Sequence, residues 1–372
     1  MGKRYLKKAM AVILAAVLLV GCSGKKAEDK TETPVATEGP IAGKKIAVVR
    51  NLAAGDHTQQ FLDGCVSEGK KFGFTVDTYV TDGDDAKLQE TVAQVITKNY
   101  DGLIVSHGQL SYSYDMLKPA VDKGMKVVTF DTMPMKDGDA KGELLETVTS
   151  TAQADHDLAT LSLDEMIKEH EEKGGELPVK VLKTFMGPGI PPLDRRNEVY
   201  QKYEEEGKIK TIQTISPSDA ANVRGDMTQK TEAILPTIKE GDIDAIWGCY
   251  DELAKGVLQA LNDSNRKDIP MYTIDISNDD IQLMLENSEV WKSAAAVDPK
   301  LIGVVDMRLM ALKLADKETP EYFNLGAQNV LTTQLKEGVT MQDLGELIEG
   351  WGNAEDPEGS FYTEELKELY AK

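Results

Sequence analysis

Two histidines follow predicted strands in the first half of the chain, and each has a carboxylate near it. His57 stands beside Asp56, while His107 lies on the loop after the third predicted strand and Asp131 closes the fourth. A zinc site needs three or four nitrogen, sulfur or oxygen ligands, which this composition could supply. However, the two histidines lie on separate loops, and no HxH or HxxxH spacing is present. The pattern therefore argues against a metal site.

Motifs that carry catalysis in other protein classes are absent. The sequence holds no GxGxxG, P-loop, GxSxG or CxxC pattern. Three cysteines cannot build a disulfide scaffold. Cys65 falls in a predicted helix and Cys249 at a strand end, and both are expected to be buried free thiols. The chain is therefore predicted not to be an enzyme and to need no cofactor.

The charge balance excludes further classes of protein. The 372 residues include 42 Lys and Arg against 63 Asp and Glu, a formal net charge of -21. Non-specific binding to nucleic acid needs clustered cations, so no nucleic-acid partner is expected. Long-range attraction to an anionic membrane is also disfavoured, so a membrane attachment would have to be covalent or inserted. The length favours two domains, with three as the alternative.

The first residues are typical of an export signal. Residues 3–8 contain four cations and no acid, and residues 9–20 form an apolar run that is too short to span a membrane. The run ends in Leu-Val-Gly-Cys at Cys22, which resembles the lipobox of bacterial lipoproteins. The resemblance implies that residues 1–21 are a signal peptide and that Cys22 carries a lipid. Residues 22–43 are polar and are predicted to be a flexible tether.

The rest of the chain alternates short strands and helices, and this pattern occurs twice. The first series runs from a strand at 45–49 to a strand at 126–130, and the second begins with a strand at 179–185. Short apolar runs without alternation are typical of parallel strands that are buried on both faces. The pattern predicts an α/β fold with two doubly wound parallel-sheet lobes, and one large fused sheet is the alternative.

The loops after the predicted strands are the expected place for a ligand, because ligands of open parallel sheets bind outside the carboxyl ends of the strands. If the carboxyl edges of the two sheets face each other, these loops line one cleft from both sides. They are residues 50–58, 106–112, 131–134, 186–196, 216–223, 248–251 and 275–278.

Four stretches resemble the ribose- and galactose-type sugar-binding proteins of ABC importers, which have the type I periplasmic-binding fold. The stretches are VVTFD at 127–131, YDELAKG at 250–256, YTID at 272–275 and SAAAVDP at 293–299. Each pattern is short, but their order and spacing together are more specific than any one of them.

This resemblance implies a three-stranded hinge and function by closure of two lobes around a small ligand. It places the N-terminal lobe at 44–150 plus 298–326 and the C-terminal lobe at 151–297 plus 327–353, followed by an acidic tail at 354–372. It also implies a monomer that presents its ligand to the membrane subunits of an ABC permease.

Carried over position by position, the sugar-binding roles of that family fall on Asp131, Asp251 and Asp275. A carboxylate accepts two hydroxyl hydrogen bonds at once, and such charge-assisted bonds are short and strong, which suits a polyol. Each residue also has a structural alternative. Asp251 would cap the helix that follows it, while Asp131 and Asp275 would only end their strands.

The chain departs from the family in the first loop. That loop usually carries aromatic residues that stack on a sugar, whereas here it reads Gly-Asp-His-Thr, with Asp56 and His57 as candidate contacts. His107 and Gln109 on the third-strand loop are further candidates for ligand binding. Tyr250, at the cleft edge, is a candidate for stacking.

The arginine of the family that binds ligand falls at Asp194, and two arginines follow directly. Arg195 or Arg196 would take over the ligand contact, or would instead pair with Glu198. Which of the two faces the cleft is left open by the sequence.

The function predicted from these features is that of an extracytoplasmic, lipid-anchored substrate-binding protein at the cell membrane. It would serve an ABC transporter and bind a monosaccharide or related polyol, although the first loop argues against glucose or galactose. An alternative on the same fold is a receptor for a sugar- or nucleoside-derived signal that passes its occupancy to a membrane sensor kinase or chemoreceptor. A surface hydrolase is a third hypothesis.

Overall fold

The computed structural model describes residues 38–219 and 222–372. The predicted signal peptide, Cys22 and most of the predicted tether lie outside these residues. The strands are β1 Lys45–Arg50, β2 Thr75–Val80, β3 Gly102–Ser106, β4 Lys126–Phe130, β5 Thr149–Gln153, β6 Val179–Thr184, β7 Ile209–Ile215, β8 Ala245–Gly248, β9 Met271–Ile274, β10 Trp291–Ala296, β11 Tyr322–Leu325 and β12 Gln328–Leu331. The α-helices are α1 Asp56–Lys71, α2 Asp85–Thr97, α3 Leu110–Asp122, α4 Asp155–Glu172, α5 Pro191–Glu205, α6 Val223–Ile234, α7 Asp251–Asp263, α8 Asn278–Glu286, α9 Pro299–Leu314 and α10 Glu364–Lys367.

Within this described part the strands form two six-stranded sheets, which confirms the predicted α/β fold with two lobes. The first sheet has the order β11-β5-β4-β3-β1-β2, and the second has the order β12-β10-β9-β8-β6-β7. The pairings in both sheets are parallel apart from that of β12 with β10. Corresponding strands occupy the same places in the two sheets, so the repeated sequence pattern is a repeated fold.

The inner strands β1, β3 and β4 of the first sheet are largely apolar because residues on both faces of the sheet are buried there. All five residues of β3 are buried. In β1, Ile46 and Val48 belong to the larger core together with Phe61 of α1, whereas Ala47 and Val49 pack with α2 and α3 in a second core. This burial on two faces explains why the runs show no alternation of apolar and polar residues.

Helices α1 and α3 begin inside loops that were predicted from the sequence. Helix α1 begins at Asp56, within the predicted loop 50–58, and α3 begins at Leu110, within the predicted loop 106–112. Both start directly after strand-end loops, so several candidate residues lie in or beside a first helical turn. His57 is the second residue of α1.

Helices α1 and α9 approach closely because each has a glycine at their contact. A Cβ atom on Gly303 would lie 2.1 Å from the carbonyl oxygen of Phe61, and one on Gly64 would lie 2.2 Å from that of Lys300. Protein interiors are close-packed, so a side chain at either position requires the helices to move apart.

Replacing Gly303 with alanine is expected to destabilise the protein by about 1–3 kcal/mol, because the added methyl group overpacks this contact. Urea denaturation followed by circular dichroism measures the change in the free energy of unfolding. Gly326→Ala is the control, since a Cβ there meets no atom within 4 Å. Equal stabilities of the two variants would show that the helix contact tolerates a side chain.

The chain crosses between the lobes three times, after β5, after β10 and between β11 and β12. The lobe boundary predicted between residues 150 and 151 falls inside β5. Since the residues of β5 pair with β4 and β11 of the first sheet, the first lobe extends to Gln153. The first crossing therefore leads directly into α4.

Both ends of the described chain pack on the first lobe. Ile41, within the predicted tether, is buried, and so is Leu366 in the predicted tail. Arg308 of α9 donates hydrogen bonds to the carbonyl oxygens of Ala354 and Ser360, at 2.7 and 2.8 Å. The acidic tail is therefore a packed part of this lobe. In the described residues, no helix has the length and apolar character needed to cross a membrane.

Candidate functional site

Three polar residues at strand ends share an unusual backbone conformation. His107 follows β3, Asp131 follows β4 and Asp275 follows β9, with φ angles of 61°, 43° and 74°. Positive φ is uncommon for residues other than glycine, and such residues concentrate at functional sites. All three stand at the carboxyl edge of a sheet, where the sequence analysis expected a ligand.

The carboxylate of Asp131 lies between groups of both lobes and is only 4% exposed. Its Oδ2 lies 3.9 Å from Nε2 of His107, and its Oδ1 lies 3.9 Å from Nη2 of Arg195 in the second lobe. Oδ1 is buried and accepts no hydrogen bond from any described residue. Since buried polar atoms are normally satisfied, this oxygen is a suitable acceptor for a ligand hydroxyl.

Arg196 and Asp275 form the second-lobe side of this group. Nη1 of Arg196 donates to Oδ2 of Asp275 at 2.7 Å, and Nη2 donates to Oδ1 at 3.1 Å. Nη1 also donates to the carbonyl oxygen of Cys249 at 2.9 Å. The side chain of Arg196 is only 2% exposed. The bidentate pair fixes the orientation of Asp275 at the site.

Asp155, the first residue of α4, joins the two arginines. It accepts hydrogen bonds from Nε and Nη2 of Arg195 at 3.0 and 2.6 Å, and from Nε of Arg196 at 2.9 Å. Glu198, which the sequence offered as their alternative partner, instead bonds to His156 at 2.8 Å. The arginines therefore belong to the group at the cleft.

Asp56 and His57 begin α1 and connect the first lobe to this group. Oδ2 of Asp56 accepts a hydrogen bond from the backbone nitrogen of Asn278 in the second lobe, at 2.9 Å. Nδ1 of His57 lies 2.8 Å from Nη2 of Arg50. Burial lowers the pKa of His57 to about 3, and the positive charge of Arg50 acts in the same direction. The imidazole is therefore neutral near pH 7.

Asp251 is not the N-cap of the helix that follows, which was the structural alternative to ligand binding. It is the first residue of α7, whose N-cap is Tyr250. Its carboxylate lies 2.9 Å from Nζ of Lys255, which lies 3.0 Å from Asp280. The Asp251 carboxylate is thus held by an ion pair in the second lobe.

The structure does not bring Gln109 into the group around Asp131. Gln109 is exposed, and its amide donates to Asp85 of the first lobe at 2.5 Å. Tyr250, in contrast, packs against the core, and burial raises the pKa of its hydroxyl, with the charges of Asp251, Glu252 and Asp275 adding to the shift. The ligand contacts of Tyr250 and Gln109 both stay predictions.

Two charged residues that the sequence analysis did not select are central to the site. Arg50 has 0% of its surface exposed and Asp155 has 1%. A cation directly after the apolar run of β1 is a signal that could have identified Arg50. Asp155 lies in a crossing between lobes rather than at a strand end, and no motif points to it.

The remaining chemistry of the described residues is limited. No cluster of three or more His, Cys, Asp or Glu side chains suited to a metal ion occurs within 38–219 and 222–372. Cys65 and Cys249 are free and buried, which confirms the prediction for these thiols. The site thus offers hydrogen-bond donors, acceptors and paired charges.

Burial raises the pKa of Asp131 to about 7, and the Asp155 carboxylate adds to the shift, while Arg195, Arg196 and Arg50 oppose it. In the folded protein, Asp131 therefore keeps its proton to a higher pH than a carboxyl group with the ordinary pKa of 3.8 does. This proton stabilises the fold fully below about pH 4, and the contribution is lost as the pH rises through 7.

Ligand affinity is expected to change in the opposite sense and to rise about tenfold between pH 6 and pH 8, because hydroxyl groups donate best to the carboxylate form of Asp131. Calorimetry in buffers of different ionisation enthalpy measures the affinity and the protons released. Asp131→Asn should remove the dependence. A pH-independent affinity in the wild-type protein would contradict this account of Asp131.

A sequence profile of the family described as periplasmic binding protein domain matches residues 46–318. The chain belongs to this family. The match confirms the resemblance drawn from the sequence, and membership in a family of binding proteins agrees with the prediction that the chain is not an enzyme.

Known relatives of this periplasmic binding protein match it over most of their length. The solved structure of a sugar ABC transporter from Yersinia enterocolitica is 36% identical, with a TM-score of 0.74, and covers 90% of this chain and 99% of its own. The 5-methylthioribose transporter solute binding protein of Thermotoga lettingae is 23% identical, with a TM-score of 0.70, over 87% and 98% of the two chains. The ribose import binding protein of Bacillus subtilis is 24% identical over 317 residues, which are 80% of this chain and 90% of the relative.

Proposed function

We propose that this periplasmic binding protein is a lipid-anchored, extracytoplasmic receptor of an ABC importer. It closes its two lobes around a monosaccharide or related polyol and presents the ligand to a permease. The observation that carries the proposal is the buried Asp131 carboxylate, which lies near Arg195 of the other lobe and has one oxygen that accepts no hydrogen bond from the described residues. A polyhydroxylated ligand supplies the hydroxyl donors that this oxygen lacks.

The paired charges around the site favour a neutral ligand. Arg195 is bound to Asp155, and Arg196 is bound to both Asp155 and Asp275. A charged ligand would have to compete with these buried pairs, whereas hydroxyl groups bind beside them without breaking them.

The names of the relatives support the same class of ligand. They include a ribose import binding protein, a 5-methylthioribose transporter protein and a sugar ABC transporter. His57 stands where the resemblance implies an aromatic residue that stacks on a sugar, and this argues against glucose and galactose. Pentoses, their derivatives and open-chain polyols are the preferred candidates.

Contacts between the lobes couple ligand binding to closure of the two lobes. The hydrogen bond from Asn278 to Asp56 joins the second lobe to the first. A ligand that touches both lobes binds the closed form better and therefore shifts the population toward it. The closed form is the state that a permease would recognise.

A thermal-shift screen tests the proposal with D-ribose, D-xylose, 5-methylthioribose, D-tagatose, allitol, D-glucose and adenosine. A ligand present at 100 times its dissociation constant stabilises a protein by about 2.7 kcal/mol, so at least one sugar or polyol should raise the melting temperature by several degrees. A shift with adenosine alone would favour the nucleoside-receptor alternative. No shift with any sugar or polyol would overturn the proposal.

Replacing Cys22 with serine is expected to release the protein from the membrane, because the predicted lipid attachment requires the thiol. One acyl chain binds a membrane only marginally, so a diacylglyceryl anchor is the form expected. Fractionation of cells that express the full chain, with labelling by a radioactive fatty acid, measures both effects. Continued membrane association and labelling of the Cys22→Ser variant would refute lipidation at this residue.

A further inference from the structure

Arg50 is a fully buried cation at the carboxyl end of β1, and it contacts His57. Its Nη2 lies 2.8 Å from Nδ1 of His57, and its Nη1 donates to Oγ of Ser106 at 3.3 Å. The guanidinium carbon lies 4.3 Å from the ring centre of Phe61 and 5.5 Å from that of Phe130. These contacts hold the guanidinium in one place against two aromatic rings.

The contact with Arg50 fixes the tautomer of His57. A guanidinium group has N–H donors and no acceptor, so the Nδ1 atom that it contacts must carry a lone pair. The proton of a neutral His57 ring therefore sits on Nε2. Burial and the charge of Arg50 keep the ring neutral, since both lower its pKa.

His57 lies beside a contact between the lobes. The residue before it, Asp56, accepts a hydrogen bond from the backbone nitrogen of Asn278 in the second lobe at 2.9 Å. The bond to Arg50 is the hydrogen bond that the described residues make to this imidazole. The Nε2–H group is thus a donor available to a ligand.

We propose that Arg50 is a positioning residue that sets His57 as a fixed Nε2–H donor, and that this donor selects ligands with an oxygen acceptor at that point. The inference rests on the proposed function and specifies its ligand class further. The ligand presents hydroxyl donors to Asp131 and a ring, ether or carbonyl oxygen to His57. A ligand with an ammonium group in that place is rejected, because two donors would face each other.

The imidazole of His107 also lies near Asp131. Nδ1 of His107 is buried and has no hydrogen-bond partner among the described residues, while its Nε2 lies 3.9 Å from Asp131. Nδ1 of His107 and Oδ1 of Asp131 thus both lack a hydrogen-bond partner among the described residues, and both lie at the carboxyl edge of the first sheet.

Long-range proton–nitrogen NMR spectra of the unliganded, full-length protein test the tautomer directly. The chain has only four histidines, and His57→Gln assigns the signals of His57. The expected result is an unprotonated Nδ1 and a protonated Nε2 at pH 7. A ring that is protonated on Nδ1, or on both nitrogens, would overturn the proposal.

Two variants of Arg50 separate positioning from a merely structural role. Arg50→Lys keeps a cationic donor and should retain the Nε2–H tautomer, whereas Arg50→Met should give a mixture of tautomers and a higher pKa of His57. An Arg50→Met spectrum identical to that of the wild-type protein would show that Arg50 does not set the tautomer. If Arg50→Met fails to fold, Arg50→Lys still tests the role of the cation: a retained Nε2–H tautomer supports it, and a ring protonated on Nδ1 in that variant would overturn it.

Binding of the highest-affinity sugar or polyol from the screening panel tests the selection of ligand. His57→Phe keeps an aromatic ring without the donor and should weaken binding at least tenfold, while His57→Gln keeps an N–H donor and should weaken it less than threefold. Equal binding by His57→Phe and the wild-type protein would show that His57 stacks. If no sugar or polyol binds, the proposed function and the ligand role of His57 both fail, whereas the tautomer is decided by the spectrum alone.

Discussion

Replacing Asp155 with alanine is expected to destabilise the protein by about 3–5 kcal/mol, which is the usual cost of breaking a buried ion pair by removing one partner. The carboxylate is buried and accepts three hydrogen bonds from Arg195 and Arg196. Without it, the buried Arg196 keeps Asp275 as its one carboxylate partner among the described residues. Urea denaturation followed by circular dichroism measures the loss.

Asp157→Ala is the matched control for this experiment. Asp157 lies on the same first turn of α4, but it is exposed. Its removal should therefore cost less than about 1 kcal/mol, because exposed charges contribute little. A similarly small effect of Asp155→Ala would show that the network does not stabilise the first crossing between the lobes.

Replacing Asp131 with asparagine is expected to weaken binding of the sugar or polyol by about 10- to 100-fold. Hydrogen bonds to a charged group are worth about 1.5–3 kcal/mol, and the substitution converts one acceptor oxygen into a donor. Asparagine is the appropriate replacement because it tolerates the left-handed backbone at φ 43° better than alanine does. Titration calorimetry at pH 8 measures the affinity.

Asp139→Asn provides the control for Asp131→Asn. Asp139 is exposed on the segment that follows β4, and its Oδ1 accepts a local hydrogen bond from the backbone of Lys141. Its substitution should leave affinity unchanged. If Asp131→Asn also binds as the wild-type protein does, Asp131 merely ends its strand, as the structural alternative holds.

The fold was largely predictable because its strands carry a physical signal. A strand that is buried on both faces, such as β3, must be apolar throughout, and short runs of this kind alternate with amphipathic helices. The positions of Asp131 and Asp275 follow from the same rule, because they are the first residues after their strands. Helix starts were less predictable, since α1 begins within a polar loop at Asp56.

The partners of buried charges could not be predicted in the same way. Asp155 pairs with arginines about 40 residues later in the chain, and nothing in the local sequence distinguishes it from the exposed Asp157. The buried pair of Arg308 with Glu68 also joins distant residues, 240 positions apart. In contrast, the pairing of Asp251 with Lys255 has the i, i+4 spacing of a helix and could have been predicted.

Titration calorimetry of the wild-type protein with the screening panel is the most direct test of the central claim, that two similar lobes bind one neutral sugar or polyol between them. The account predicts saturable binding of at least one sugar or polyol, with one molecule bound per chain and a negative heat-capacity change from burial on closure. The absence of binding heat with every sugar and polyol, or a stoichiometry other than one per chain, would contradict it.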